Sequence, residues 1–389
     1  KVQLGQTFNR SARNGTNIGS HYAGFKVLNE EGAHYVYALP AYNNTEIENL
    51  FSTKENTPNG TYVTNIQIKN NEVDYKQYAK GQQFIKKVKK SPYAHSYLLT
   101  AVQGADYVDL TNNGVSDDDL GYWVKFSYVN KTSNFKWRTP YYNSQAFFSQ
   151  GASYTDEDDK ASYSYGEKEL WYVGRMETKT HIAIFKMSER EDMVEASSEM
   201  ASVTDTDLSD QKVPLKLDSI IVYDKKSFLA QGESARFMQK IVFTYNYELC
   251  KETPNSRAST KGKMTLKEVY FLSNGSTRGI LNKYKFGYVP VPPGGLVLPD
   301  NHENPLFQMG AYDSWGSYKP RKDNEFASNF PYVNQFNQDW DPTKTWEPDY
   351  GGSNLEDYSA KATTKREQDG LASSWCLRSI TLPSGGVIN

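Results

Sequence analysis

A chain of 389 residues is long enough for two or three domains or for one large β-rich body. Its mean hydropathy of −0.73 indicates a polar surface, yet its 29 Tyr and 14% aromatic content are too high for a disordered chain. The formal net charge of −2, with charged residues spread along the whole length, excludes a basic face for nucleic acid. No apolar run approaches the roughly 20 residues that cross a bilayer, so the sequence predicts no membrane span.

Short segments rich in Val, Ile, Tyr, Phe and Thr recur through the chain, and most are bounded by Asn, Gly, Asp or Ser. In QKIVFTYNYEL, Ile241, Phe243 and Tyr245 alternate with Val242 and Thr244, which is the period of a sheet with one covered face. The pattern predicts a mainly β fold of antiparallel sheets and meanders with long aromatic-rich loops and little helix. Its strands would form a sandwich or one curved sheet.

Composition and periodicity divide the chain into four predicted regions. These are a β-rich region at 1–188, a short helix or linker at 189–212, a β-meander at 213–290, and an aromatic, loop-rich segment at 291–389 that returns to a strand. The final strand pattern, in SWCLRSITLPSGGVIN, predicts that the sequence is a piece of a longer protein.

Two local signals define the middle of the chain. SEREDMVEASSEMA, residues 188–201, is the only stretch with helical spacing, although its apolar residues are sparse. Within the predicted meander, SNGSTRG separates two strand patterns, and its Asn-Gly and second Gly permit the positive φ of a hairpin loop.

DLTNNGVSDDDLG, residues 109–121, concentrates side-chain oxygen atoms. Counted as an EF-hand loop, it has Leu120 where the bidentate acid should stand, and its flanks are strand-like rather than helical. Two interpretations remain open. Either the loop holds a structural Ca²⁺, or its Asn and Asp side chains cap their own backbone in a turn. The candidate metal ligands are Asp109, Asn113, Asp117 and Asp119.

After Val291 the sequence becomes dense in Pro, Gly, Asn, Asp and aromatic residues and loses its strand period. We expect a long ordered loop that packs its rings on the sheet. Tryptophan beside polar side chains can stack on sugar rings, so this segment is also a candidate glycan site, with core packing as the alternative. The candidate ligand-binding residues are Trp315, Trp340, Trp346 and Asp313.

Enzymatic and redox signals are few. No GxSxG, Walker or GxGxxG pattern occurs, and the five His have no zinc spacing. Paired acids for glycoside hydrolysis have no fixed sequence spacing, and the best candidates are Asp313, Asp339 and Asp341. Cys250 and Cys376 are distant in sequence, which leaves open one long-range disulfide or two buried thiols.

Several blocks together carry a resemblance, among them AHYVYALPAYNN, KIVFTYNYELCKETPNS, AYDSWGSYKP and SWCLRSITLPSGGVIN. The chain resembles very large secreted, cell-surface β-rich proteins of the Bacteroidota, distantly similar in style to Rhs and YD-repeat proteins. Tyr312, Asp313 and Gly316 match the YDxxG core of one YD repeat, without a tandem array. The resemblance implies an extracellular or outer-membrane surface location in a Gram-negative bacterium, with an outer-membrane protein secretion system as the route. It supplies no catalytic residues.

The leading functional prediction is a non-enzymatic structural or partner-binding module of a large secreted bacterial protein. The expected partner is the remainder of a larger parent chain or another surface or secretion protein. A carbohydrate-binding or adhesion module is the alternative. A glycan-active enzyme is less favoured, because it needs two acids that face each other across a cleft.

Overall fold

The computed structural model describes residues 22–52, 68–69, 72–73, 85–141, 147–149, 160–199, 211–288, 304–307, 318 and 374–389. This part of the chain is mainly β, as the sequence predicted, and all its strand pairs are antiparallel. The strands are β1 Phe25–Leu28, β2 His34–Ser52, β3 Ile68–Lys69, β4 Glu72–Val73, β5 Ile85–Lys90, β6 Tyr93–Gln103, β7 Trp123–Thr139, β8 Phe147–Ser149, β9 Lys160–Glu177, β10 His181–Glu189, β11 Leu215–Asp224, β12 Gln239–Leu249, β13 Lys263–Ser273, β14 Lys283–Gly287, β15 Ser379–Thr381 and β16 Val387–Ile388. One α-helix, α1 at Lys225–Gln231, lies among these residues.

No helix among the described residues is both long enough and apolar enough to span a membrane.

Four long strands pair in a closed circuit. One edge of β2 pairs with β6 and, further along, with β5, so that these two consecutive strands form one nearly continuous partner. The other edge of β2 pairs first with β1 and then with the first half of β9. Because β7 pairs with both β6 and β9, the pairings run β2 to β6 to β7 to β9 and back to β2.

An open meander leaves this circuit from β9. Strands β10 to β14 follow one another in the sheet, and β15 and β16 extend it. The predicted strands of the meander and the final strand pattern are therefore confirmed.

The predicted SNGSTRG hairpin loop is also confirmed, since Asn274 and Gly275 have φ values of 52° and 76°. The expected fully covered face is absent, because every residue of β12 before Leu249 is partly exposed.

Among the described residues, two apolar clusters flank the end of the sheet that carries the β6–β7 connection and helix α1. One consists of Val36, Ala38, Ala101, Val115 and Trp123, where β2, β6 and β7 meet. The other joins Ile221, Tyr223 and Ala235 to Phe228 of α1. Helix α1 therefore covers one face of the meander at the end of β11.

Of the two alternatives predicted at 188–201, a short helix or a linker, the helix is wrong for residues 188–199. Ser188 and Glu189 finish β10, and the backbone N–H groups that follow donate to three separate segments. Val194 donates to the Asn255 carbonyl, Glu195 to Lys212 and Ala196 to Lys136, all at 2.9 Å. These tertiary hydrogen bonds replace the i to i−4 bonds that a helix requires.

The structure also bears on the two alternatives for the cysteines, one long-range disulfide or two buried thiols. Cys250 and Cys376 are free thiols, Cys250 half-buried and Cys376 exposed. The prediction of two buried thiols is therefore wrong for Cys376. Burial raises the pKa of the Cys250 thiol.

Candidate functional site

The connections between strands meet at one end of the sheet. In an antiparallel sheet alternate connections lie at the same end, and the register places five of them there. We call this the loop end. It consists of residues 29–33, 104–122, 178–180, 225–238 and 274–282. Connections held on a rigid sheet are where binding residues concentrate.

Asp119 organises the Asp-rich loop of the loop end. It is only 2% exposed, and its carboxylate accepts hydrogen bonds from the Ser116 N–H at 2.9 Å, the Leu110 N–H at 3.3 Å and the Tyr107 hydroxyl at 2.8 Å. Burial and this carboxylate together raise the pKa of Tyr107. A buried carboxylate that accepts three hydrogen bonds fixes the shape of its loop.

Other oxygen atoms of the loop also bond within the protein, although Asp109 Oδ1 is buried without a hydrogen-bond partner. Asp109 Oδ2 accepts the Gly114 N–H at 3.0 Å, and Asn113 Oδ1 accepts the Ser116 hydroxyl at 3.0 Å. Hydrogen bonds from Ser116 and Thr111 lower the pKa of Asp118. These contacts are those of a turn in which Asx side chains cap the backbone.

The loop is anchored from inside and closed at its base. Val115 is buried in the apolar cluster that contains Trp123, and the Val115 carbonyl accepts a hydrogen bond from Lys125 at 3.0 Å. Val108 and Leu120 form an antiparallel bridge below it. Gly121 has φ 73°, and a Cβ atom there would lie 2.1 Å from the Asp106 carbonyl oxygen, so the turn requires glycine.

Lys225 joins the Asp-rich loop to α1. Its side chain is 5% exposed, and its Nζ contacts Asp117 Oδ1 and lies 2.6 Å from Glu177 Oε1. The same Nζ is 5.1 Å from the ring centroid of Trp123. The backbone of Lys225 is also fixed, because its N–H donates a hydrogen bond to the Thr180 carbonyl at 2.8 Å. Three connections of the loop end are thus tied together at one buried ammonium group.

Large apolar side chains point outward from the loop end. Leu281 is 87% exposed, and the other side chains of this group are about half exposed. The group comprises Val108, Leu110, Leu120, Tyr122, Leu229, Met238, Ile280 and Leu281. Exposed apolar side chains that cluster on one part of a protein mark contact surfaces.

The structure describes the residues of the predicted metal site but not those of the predicted ligand-binding site. Asp109, Asn113, Asp117 and Asp119 lie in one loop, but each accepts a hydrogen bond or ion pair from a protein donor. No group of three or more metal-binding side chains occurs in the described parts of the chain, and calcium binding stays a prediction. Trp315, Trp340, Trp346, Asp313, Asp339 and Asp341 lie outside the described residues.

Sequence reasoning missed Lys225 and Glu177. Asp117 and Lys225 are 108 positions apart, and Lys225 belongs to no motif that the sequence analysis identified. A signal for α1 does exist, because Asp224 precedes it as an N-cap and Gly232 follows it. The Asp224 carboxylate accepts the Ser227 N–H at 2.8 Å. That capping pattern could have located the helix but not the ion pair.

In the part of the chain that the structure describes, the fold is an antiparallel β sheet with eight exposed apolar side chains on the connections of the loop end. No protein-family model matches the chain, and no curated protein matches its sequence. The resemblance to secreted, cell-surface β-rich proteins of the Bacteroidota accordingly stays a prediction from the sequence.

Proposed function

We propose that this chain is a non-enzymatic module of a large secreted or surface-exposed bacterial protein, and that it binds a protein partner through the loop end. The observation that carries the proposal is the group of eight exposed apolar side chains on the connections there. A sheet closed into a circuit on one side is a rigid support, and rigid supports lower the entropy cost of binding.

The chemistry of the loop end supports binding rather than catalysis. Its buried acids hold structure, since Asp119 accepts three hydrogen bonds from its own loop. Glu177 is paired with Lys225 and with Arg175, the latter at 2.8 Å. These acids are thus engaged with groups of the protein itself.

Site-specific photo-crosslinking in the producing bacterium tests the partner. A photoreactive residue replaces Leu281 or Leu110 in the loop end, or Leu377 as the control. Leu377 is 46% exposed and precedes β15 at the opposite end of the sheet. The proposal expects one discrete protein adduct from positions 281 and 110 and none from position 377. The same adducts from all three positions, or none from any, would overturn it.

Protease treatment of intact cells tests the location. A surface-exposed chain is degraded by added protease while a cytoplasmic marker in the same cells survives. Protection of the chain until the cells are lysed would refute the proposed surface location.

A further inference from the structure

We propose that Lys225 and Asp117 become joined by an amide bond between Lys225 Nζ and Asp117 Cγ, with Glu177 as the catalytic carboxylate. The three groups already meet at one point. Lys225 Nζ contacts the Asp117 carboxylate and lies 2.6 Å from Glu177 Oε1. One amine beside two carboxylates has both an acyl group to attack and a base to take its proton.

Burial distinguishes this lysine from a comparable one. Lys90 also pairs with two carboxylates, Glu46 at 2.7 Å and Glu48 at 2.8 Å, but its side chain is 41% exposed against 5% for Lys225. An exposed ammonium group stays hydrated and protonated, and it is a poor nucleophile. The Lys225 side chain instead lies against the buried Trp123 ring, and its Nζ also donates to the Thr178 carbonyl at 3.3 Å, so the amine is held away from bulk water beside both carboxylates.

The backbone on both sides fixes the reacting groups. The Lys225 N–H donates to the Thr180 carbonyl at 2.8 Å, and the Asp-rich loop that carries Asp117 is held by the hydrogen bonds to Asp119. Arg175 binds the other oxygen of Glu177 at 2.8 Å and so keeps Oε1 toward the lysine. Fixed proximity of this kind raises the effective concentration of one reactant at the other by orders of magnitude.

The reaction balances without an oxidant or a co-reactant. Glu177 takes one proton from the Lys225 ammonium, and the freed lone pair attacks Asp117 Cγ to form the C–N bond. A second proton leaves the nitrogen as the C–O bond breaks, and one Asp117 oxygen departs as water with both protons. Glu177 returns to its carboxylate form. The Asp117 side chain is 61% exposed, so the water that forms has a path to solvent.

Intact mass and peptide mapping test the bond. The purified chain should have a mass lower by one water molecule than its sequence requires. Trypsin should release a branched peptide in which residues 91–125 are joined to residues 217–226, because an acylated Lys225 is no longer a cleavage site. Mild alkali separates this product from an aspartyl succinimide, which also lacks one water but hydrolyses, whereas the amide survives.

Substitutions of Lys225 and Glu177, with Lys90 as the control, test the role of each group in the reaction. Lys225→Arg keeps the positive charge but should restore the full mass, and Glu177→Gln should lower the joined fraction. Lys90→Arg should leave the water loss unchanged. A full-mass wild-type chain that yields an unbranched peptide ending at Lys225 would overturn the proposal and leave an ion pair only. That wild-type measurement decides the question even if the Lys225 variant fails to fold.

Discussion

At the residue scale, Asp119 is the side chain on which the Asp-rich loop depends. Asp119→Ala leaves the N–H groups of Leu110 and Ser116 and the Tyr107 hydroxyl without their acceptor. Unsatisfied buried donors cost about 1 to 3 kcal/mol each, so we expect the free energy of unfolding to fall by about 3 kcal/mol.

Urea denaturation followed by tryptophan fluorescence measures this loss. Asp118→Ala is the matched control, because Asp118 lies in the same loop with an exposed carboxylate. We expect no measurable change for the control. Equal losses in the two variants would show that the loop responds to charge rather than to the buried hydrogen bonds.

The Asp-rich loop can be interpreted either as a calcium site or as a turn, and thermal unfolding with and without calcium separates the two interpretations. Because Asp109 Oδ2, Asn113 Oδ1 and Asp119 Oδ2 already accept protein donors, we expect the thermal midpoint to be the same in calcium and in chelator. An ion that binds only the folded state must raise that midpoint. A calcium-dependent rise, lost in Asp109→Ala and Asp117→Ala, would instead establish a structural ion site.

At the element scale, Asp192 ties the segment after β10 to β13. Its carboxylate accepts two hydrogen bonds from Arg190, at 3.0 and 2.9 Å, and one from the Met264 N–H at 3.0 Å. Burial alone would raise the pKa of Asp192, but the Arg190 and Met264 hydrogen bonds outweigh it and lower the pKa. The ionised form is therefore the one that stabilises this junction.

The sign of the pH dependence follows from that shift. A lowered pKa in the folded state gives stability that is present above the ordinary Asp value of 3.8 and is lost as the pH falls through the folded-state pKa. We expect Asp192→Asn to cost about 2 kcal/mol at neutral pH. The difference from wild type should shrink in acid below about 3.8. Urea unfolding from pH 7 to pH 3 measures it, and a constant difference would contradict the assignment.

The elements also show what could be predicted from sequence. QKIVFTYNYEL matches β12 at both ends, because strand composition and alternation are local properties. The helix alternative is wrong for residues 188–199 because the hydrogen bonds of Val194, Glu195 and Ala196 go to segments that are distant in sequence. The same limit applies to the site. The Asx-rich turn can be recognised within the thirteen residues 109–121. Its ion pair with Lys225 cannot be recognised in this way, because it forms only when the strand register places the start of β7 and the end of β11 at the same end of the sheet.

At the scale of the whole molecule, the two parts of the sheet differ in how they are supported. Strands β2 and β9 pair on both edges over much of their length, whereas β6 and β7 pair with each other only at residues 101–103 and 123–125. Strand β16 pairs only with β15, and Val387 and Ile388 are more than half exposed. Closure removes free edges, and each opening of a closed circuit must break two sets of hydrogen bonds.

Hydrogen exchange followed by mass spectrometry should reveal this difference. Backbone amides exchange by local opening, and the free energy of opening is lowest where few buried contacts and a free edge allow fraying. We expect amides of β2 and β9 to be protected longest, those of β12 and β13 less, and those of β15 and β16 least. The order follows the number of paired edges rather than hydrophobicity, since β16 is as apolar as the circuit strands. Protection of β16 equal to that of β9 in the isolated chain would mean that something covers its free edge, and the gradient argued from strand pairing would be wrong.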